Sequence, residues 1–348
     1  MQKKVLFTTL LFTVLGAGFL LSTSPKKSVV GFGTFSNYKV VSEQESVLPT
    51  EPTEIAFVGD VMLARNVERV QKKYGSDYIF QAMEPLSSTT VLVGNFESAV
   101  PKKHEPTPDM GMSFSTPTTS LPSLKAYGFA YMSLGNNHSY DKGSDNFLNT
   151  QKALQQNDLT PFGDQTVSSS TTTYVQLRDR TVALLGVSAL SGIPDMQKLA
   201  KQIASASEQS DFQVAYLHWG TEYQLTHSDF QENFAQLLID AGIDVVIGNH
   251  PHVVQDIQFY KGAPIFYSLG NFVFDQYFST DVQEGLWVEL YFEGDVPMYR
   301  LKPVTARGSY SQPRFMSAYD ADRFLQTLAK RSDADYRVQI EKGVLTVQ

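Results

Sequence analysis

Seven short runs of uncharged, mostly apolar residues recur along the chain: Ile55–Val58, Val91–Val93, Ala130–Leu134, Val182–Val187, Val214–Leu217, Val245–Ile247 and Ile265–Leu269. Runs this short and continuous predict strands buried on both faces. Helical spacing lies between them. Residues 143–157 carry Phe147, Leu148 and Leu154, residues 195–207 come next, and residues 228–241 carry Phe230, Phe234, Leu237, Leu238 and Ala241. Strand alternating with helix means an α/β fold. Residues 172–187 read as a hairpin turning at Arg178-Asp179-Arg180, and after Phe266 the pattern becomes β-rich, with strands expected over 285–292 and 297–303. The tail 308–348 is expected to hold one helix, over 318–331, and a weak final strand. No internal repeat is present.

The turns at the ends of these runs are more specific. Six runs lead into GDVMLAR, GNFES, GNNHSYDKG, HWGTEY, GNHPH and GNFVFD. Polar, metal-capable residues thus arrive at the C-terminal ends of strands, the edge at which open α/β sheets bind ligands. Glycine at five of these turns permits close backbone approach. The chain has six histidines, and two of them, His250 and His252, flank Pro251. Alternate residues of extended backbone point the same way, and proline stiffens the link.

Asp60, Glu97, Asn137, His138, His218, His250 and His252 are therefore expected at one edge. Singly, each has an ordinary explanation: a helix cap for Asp60, a turn for Asn137, a core histidine for His218. Together they would require repeated coincidence. One expected group is Asp60, Glu97 and His252; the other is Glu97, Asn137, His218 and His250. A carboxylate shared by two ions is typical of dinuclear hydrolytic sites. Mixed carboxylate, amide and imidazole donors favour manganese, iron or zinc, one or two ions per chain. His138, beside a ligand, is placed as general acid. Asn271 and Asp275 are expected to support the site. Arg65 is assigned either to a polymer carboxylate or to solvent, and His104 and His227 to the surface.

Composition narrows the function. Net charge is −8, with no basic block beyond the extreme N-terminus, which excludes a nucleic-acid footprint. An anionic substrate would need a local positive site such as metal ions. With no cysteine, disulfides, thiolate nucleophiles and sulfur-ligated metals are excluded. Lys3 and Lys4 precede an uncharged run over 5–21, long enough to span a bilayer. The expectation is an uncleaved membrane anchor with the lysines inside and the remainder outside; the alternative is a cleaved signal peptide. Residues 22–52 read as a linker. The globular domain is expected over 53–307, with 308–348 packed on it as an extension.

Taken in order, GDVMLAR, GNFES, SLGNNHSYDKG, AYLHWGTEY, VVIGNHPHVVQ and YSLGNFVFD resemble the CapA-type poly-γ-glutamate capsule biosynthesis proteins, a branch of the calcineurin-like metallophosphoesterase superfamily. The resemblance covers about residues 53–278. It implies a four-layer α/β fold, a metallophosphoesterase-like β sandwich flanked by helices, preceded by the membrane helix. It also implies a dinuclear metal site, with Asn137, His138, His218, His250 and His252 matching residue by residue. Further, it implies a role in making or anchoring an anionic γ-linked glutamate polymer or a related surface polymer, with synthase membrane subunits as partners. Two positions depart from the superfamily pattern. Met62 stands where an Asp-x-His motif has its histidine, and in GNFES only Asn95 and Glu97 are available to bridge. Two functions are therefore expected: a metal-dependent hydrolase at the cell surface, or a non-catalytic subunit that binds polymer carboxylates through metal.

Overall fold

The computed structural model describes residues 51–169 and 171–347. The expected membrane segment 1–21 and nearly all of the linker 22–52 lie outside the described residues. Among those described, no helix is long and apolar enough to cross a membrane.

The strands in chain order are β1 (Glu54–Val61), β2 (Thr90–Phe96), β3 (Phe129–Ser133), β4 (Thr160–Phe162), β5 (Thr172–Gln176), β6 (Thr181–Ser188), β7 (Phe212–His218), β8 (Val245–Asn249), β9 (Ile257–Tyr260), β10 (Ala263–Phe266), β11 (Asn271–Val273), β12 (Glu284–Glu293), β13 (Val296–Thr305), β14 (Arg314–Phe315) and β15 (Val344–Thr346). The α-helices are α1 (Arg65–Tyr74), α2 (Leu121–Tyr127), α3 (Ser144–Gln155), α4 (Met196–Ser207), α5 (Asp229–Asp240), α6 (Ala318–Arg331) and α7 (Arg337–Glu341). Each strand and helix expected within the described residues has a counterpart here.

They form two sheets. The first runs β14-β13-β12-β1-β2-β3-β4, with β11 beside β1 and β15 beside β13; the second runs β5-β6-β7-β8-β10-β9. The sheets face each other across a core of Ile55, Phe57, Val91 and Val93 from the first and Val182, Val214, Tyr216 and Ile247 from the second. The outer face of the first sheet is covered by residues of α1, α2 and α3, such as Val67, Leu124 and Phe147. The outer face of the second is covered by α4 and α5 through Leu199, Ile203, Phe234 and Leu238. Helix, sheet, sheet and helix make four layers. Strands buried on both sides explain why their sequences read as continuous apolar runs rather than alternating ones.

Local signals fix the helix ends. Ser228 closes a reciprocal capping box with Gln231 ahead of α5. The Asp195 carboxylate accepts from the Lys198 N–H at the start of α4, and the Ser317 hydroxyl from the Asp320 N–H at the start of α6. The tail is woven into the fold: β14 and β15 both pair with β13, and Leu325, Leu328 and Ala329 of α6 join the core between the sheets.

The six motif-bearing runs divide between the two sheets of the sandwich. Those of β1, β2 and β3 belong to the first sheet, those of β7, β8 and β10 to the second. An apolar run reports burial, not which sheet it joins. The run expected over 265–269 is strand only as far as Phe266, where β10 pairs with β8; β11, five residues on, pairs with β1. The chain crosses between sheets there, through Gly270 in the left-handed region at φ 68°.

Candidate metal centre

The crossing brings both sheets to one point. Register aligns Asp60 of β1 with Asn95 of β2 and with Asn271 of β11. In the other sheet His218 of β7 lies beside Asn249 of β8, and the turn after β8 carries His250 and His252. The loop after β3 carries Asn136, Asn137 and His138. Asp60, Asn95, Glu97, His138, His218, His250, His252 and Asn271 are all buried, although they come from opposite sides of the sandwich.

Asp60 is the hub. One oxygen, Oδ1, accepts from Asn95 Nδ2 at 2.8 Å; the other lies 3.2 Å from His252 Nδ1 and accepts from the His250 N–H at 3.3 Å. Burial alone would raise its carboxyl pKa, but the His252 hydrogen bond and the neighbouring imidazoles outweigh this and hold it below the ordinary carboxylate range. His218 is held at both nitrogens, with Nδ1 3.1 Å from Asn95 Nδ2 and Nε2 2.8 Å from Asn137 Oδ1. The Asn95 amide donates, so the ring proton sits on Nε2. That proton is donated to Asn137 Oδ1, and an ion held by both His218 Nε2 and Asn137 Oδ1 would displace it.

Glu97 is the telling residue. It is 1% exposed, and neither side-chain oxygen has a hydrogen-bond partner. Burial first, and then the Asp60 charge, push its carboxyl well above the ordinary range. His250 Nδ1 is likewise buried without a partner. Burial and His252 push the His250 imidazole down to about 4, and burial and His250 lower His218. Neutral imidazoles and unpartnered carboxylate oxygens are what a cation requires. His250 and His252 also adopt left-handed backbone, φ 98° and 58°, a strain that clusters at functional sites. The residues present therefore fit a hard or borderline divalent metal.

Two compact groups of donors result: Asp60, Glu97 and His218, and Glu222, His250 and His252. The distances also accommodate the expected division: His252 lies 3.2 Å from Asp60 and 3.9 Å from Glu97, and the His218 and His250 rings are 4.8 Å apart. The sequence places ligands on loops but not the angle at which two sheets present them. Asn137 does meet His218, as expected. Met62 offers nothing to the site: it is fully buried, and its sulfur accepts the Ala64 N–H at 3.0 Å.

His138 stands at the rim of the group. Its Nδ1 is 2.7 Å from Asp141 Oδ2, which leaves Nε2 turned toward Glu97 at 3.7 Å. The ring stacks on Phe114 at 4.0 Å between centroids, and the His138 N–H donates to Asn136 Oδ1 at 3.0 Å. Asn136 in turn donates to Asn95 Oδ1 at 2.9 Å. Asn271 Oδ1 lies 2.9 Å from His252 Nδ1 and orients that ring.

Arg65 is corrected in part. It does not face solvent: it is 8% exposed, paired with Asp275 and stacked over Phe114 at 4.7 Å. Its natural carboxylate is Asp275, which also accepts the Asn66 N–H at 3.0 Å. His104 and His227 are not free surface residues either. His104 Nε2 is 2.9 Å from Glu68. His227 Nδ1 is 2.7 Å from Asp256, and its ring stacks on Tyr267 at 4.1 Å. Burial opposes charge on His227, but the Asp256 hydrogen bond prevails and raises its pKa. Glu222, Asn136 and Asp141 were not assigned roles from sequence. Their signal was proximity to the motifs: HWGTEY holds Glu222, and GNNHSYDKG holds the other two.

Residues 54–276 match the family model described as bacterial capsule synthesis protein PGA_cap. The chain is 31% identical over 320 residues to a capsule biosynthesis protein CapA of Bacillus anthracis, covering 83% of this chain and 77% of that one. It is 30% identical over 310 residues to a PGA biosynthesis protein CapA of Bacillus subtilis, covering 84% and 81%. A probable polyglutamine synthesis accessory protein of Mycobacterium tuberculosis is 25% identical over 215 residues, covering 54% and 57%. With the match spanning both donor groups, the chain belongs to the bacterial capsule synthesis protein family.

Proposed function

We propose that this chain is a metal-dependent hydrolase of the phosphoesterase type, acting in the synthesis or anchoring of an anionic surface polymer, poly-γ-glutamate or a related one. The observation that carries the metal-dependent part is Glu97, buried with both oxygens unpartnered beside a group of histidines. Asp60, Glu97 and His218, with Asn137, would hold one ion, and His250 and His252 would contribute to a second. Manganese, iron or zinc suits these donors. Such ions supply Lewis-acid polarisation and water activation. The chain's own residues do the rest. Asn95 and Asn271 orient His218 and His252, and Asp141 fixes His138 with Nε2 toward the centre, placed to deliver a proton to a leaving oxygen.

The test is metal-dependent turnover. Protein loaded with manganese is expected to hydrolyse an aryl phosphodiester and to stop when EDTA is added. It should also melt at a higher temperature when loaded, because ligand at about 100 times its Kd stabilises a fold by about 2.7 kcal/mol. Loaded protein without turnover on any phosphoester would remove the hydrolase reading. The second reading, a non-catalytic subunit that binds polymer carboxylates through metal, is favoured by Met62, which leaves the centre one imidazole short.

The polymer lies outside the cell, and the N-terminal run over 5–21 suits an anchor with the described domain on the outer side. Protease added to intact cells should release a soluble fragment. A domain that resists until the membrane is permeabilised would reverse this topology.

A further inference from the structure

The loop after β7 carries a carboxylate to the two histidines of the other loop, and the backbone sets its position. Trp219 anchors the loop start, its Nε1 donating to the Tyr267 carbonyl at 2.8 Å. Gly220 then takes φ 89° and Tyr223 φ 65°, so the loop bends sharply on either side of Glu222. The Tyr223 N–H donates to the carbonyl of Pro251 at 2.8 Å. Pro251 is the residue between His250 and His252, so this bond sets the height of Glu222 against both imidazoles. Tyr223 also lies near the His252 ring, 6.2 Å between centroids. The outcome is a Glu222 oxygen and one ring nitrogen each from His250 and His252 within 4.8 Å of one another. Independently, His250 Nδ1 is buried with no partner on a residue only 8% exposed.

We propose that Glu222 is a metal ligand, and that it replaces the donor that Met62 does not supply. An ion is then held by Glu222, His250 and His252, while Asp60, Glu97 and His218 hold the other. This rests on the metal-dependent reading of the same site. Two imidazoles and one carboxylate are a donor set suited to divalent iron, manganese or zinc, with positions left open for substrate oxygens. Glu222 is the one partly exposed member of the two groups, so its ion faces the entry side of the site.

Metal stoichiometry tests this without recourse to activity. The full-length chain is stripped with EDTA, reloaded with manganese, freed of excess ion and analysed for metal per chain, alongside Glu222→Gln, Glu222→His and His218→Ala. Wild type is expected to hold two ions. Glu222→Gln should hold one tightly, with the second weakened by about 100-fold or more, beyond the loss typical of an outer partner. Glu222→His should restore the second ion. His218→Ala should lose the other ion instead. Metal-free Glu222→Gln should melt with metal-free wild type, which shows that the fold is intact. Two ions retained in Glu222→Gln with unchanged affinity and an unchanged manganese-induced rise in Tm would overturn the assignment. So would loss of both ions together from a folded Glu222→Gln, which would deny a separate second site. A wild-type chain that binds no ion is a different result: the metal-centre reading itself fails, and this inference falls with it.

Discussion

His138→Ala is expected to keep the metal content of the wild type and to lose about 10²–10⁴-fold in turnover, roughly 3–5 kcal/mol of barrier. The separation of the two readouts comes from geometry. His138 belongs to neither compact donor group, and its Nδ1 is committed to Asp141. Removing the ring should also spare the surrounding loop, since Asp141 Oδ2 still accepts the Phe114 N–H at 2.6 Å. Metal analysis and turnover of an aryl phosphodiester, measured on the same preparation, check it. Unchanged turnover at unchanged metal content would take His138 out of the chemistry. If wild type itself has no turnover, and His138→Ala makes polymer normally in cells, the carboxylate-binding subunit becomes the better reading.

How much of this was legible before the fold was known depends on the distance over which each feature is decided. The helix expected over 318–331 is α6, Ala318–Arg331, because its Ser317 cap and its apolar spacing are local. The apolar runs found the strands for a similar reason. Which sheet each run joins was not legible from the runs themselves, since β11 joins β1 across more than two hundred residues of chain. The same limit explains the misread side chains. His104 reads as a surface residue because its partner Glu68 is 36 positions away. Arg65 reads as meeting either a polymer carboxylate or solvent because Asp275, its partner in the fold, is 210 positions away. At the site, the motif positions marked which residues converge, as Asp60, His218, His250 and His252 do. They did not mark Glu222, whose place depends on a backbone bond from Tyr223 to Pro251, nor how the donors divide between two ions. In GNNHS the two asparagines are indistinguishable by type; the resemblance singles out Asn137, which the fold turns to His218, but gives no place to Asn136, which the fold turns to Asn95.

Gly59→Ala is expected to cost about 3–5 kcal/mol, at or beyond the usual upper end for overpacking, and with it the metal centre. Gly59 precedes Asp60 where β1 meets the crossing segment between the sheets. A Cβ there would lie 1.7 Å from the carbonyl oxygen of Gly270 and 2.8 Å from its carbon. Both are backbone atoms, so no side-chain rotation relieves the clash. Gly270 must move, and its carbonyl accepts the Asp60 N–H at 3.0 Å, so that bond is lost too. The displacement passes to Asn271 and hence to the ring of His252 that Asn271 holds. Against a total stability of about 5–15 kcal/mol, the variant should unfold at much lower denaturant and bind manganese poorly when folded. Gly75→Ala is the control. Nothing lies within 4 Å of its added Cβ, although its φ of 102° and ψ of 154° are all but reserved for glycine, so it should cost only the backbone strain, about 1–3 kcal/mol. Denaturant titration with metal analysis decides the matter. If Gly59→Ala loses no more stability than Gly75→Ala and keeps its metal, the close approach of the two backbones at the head of the site is not what holds Asp60 in place.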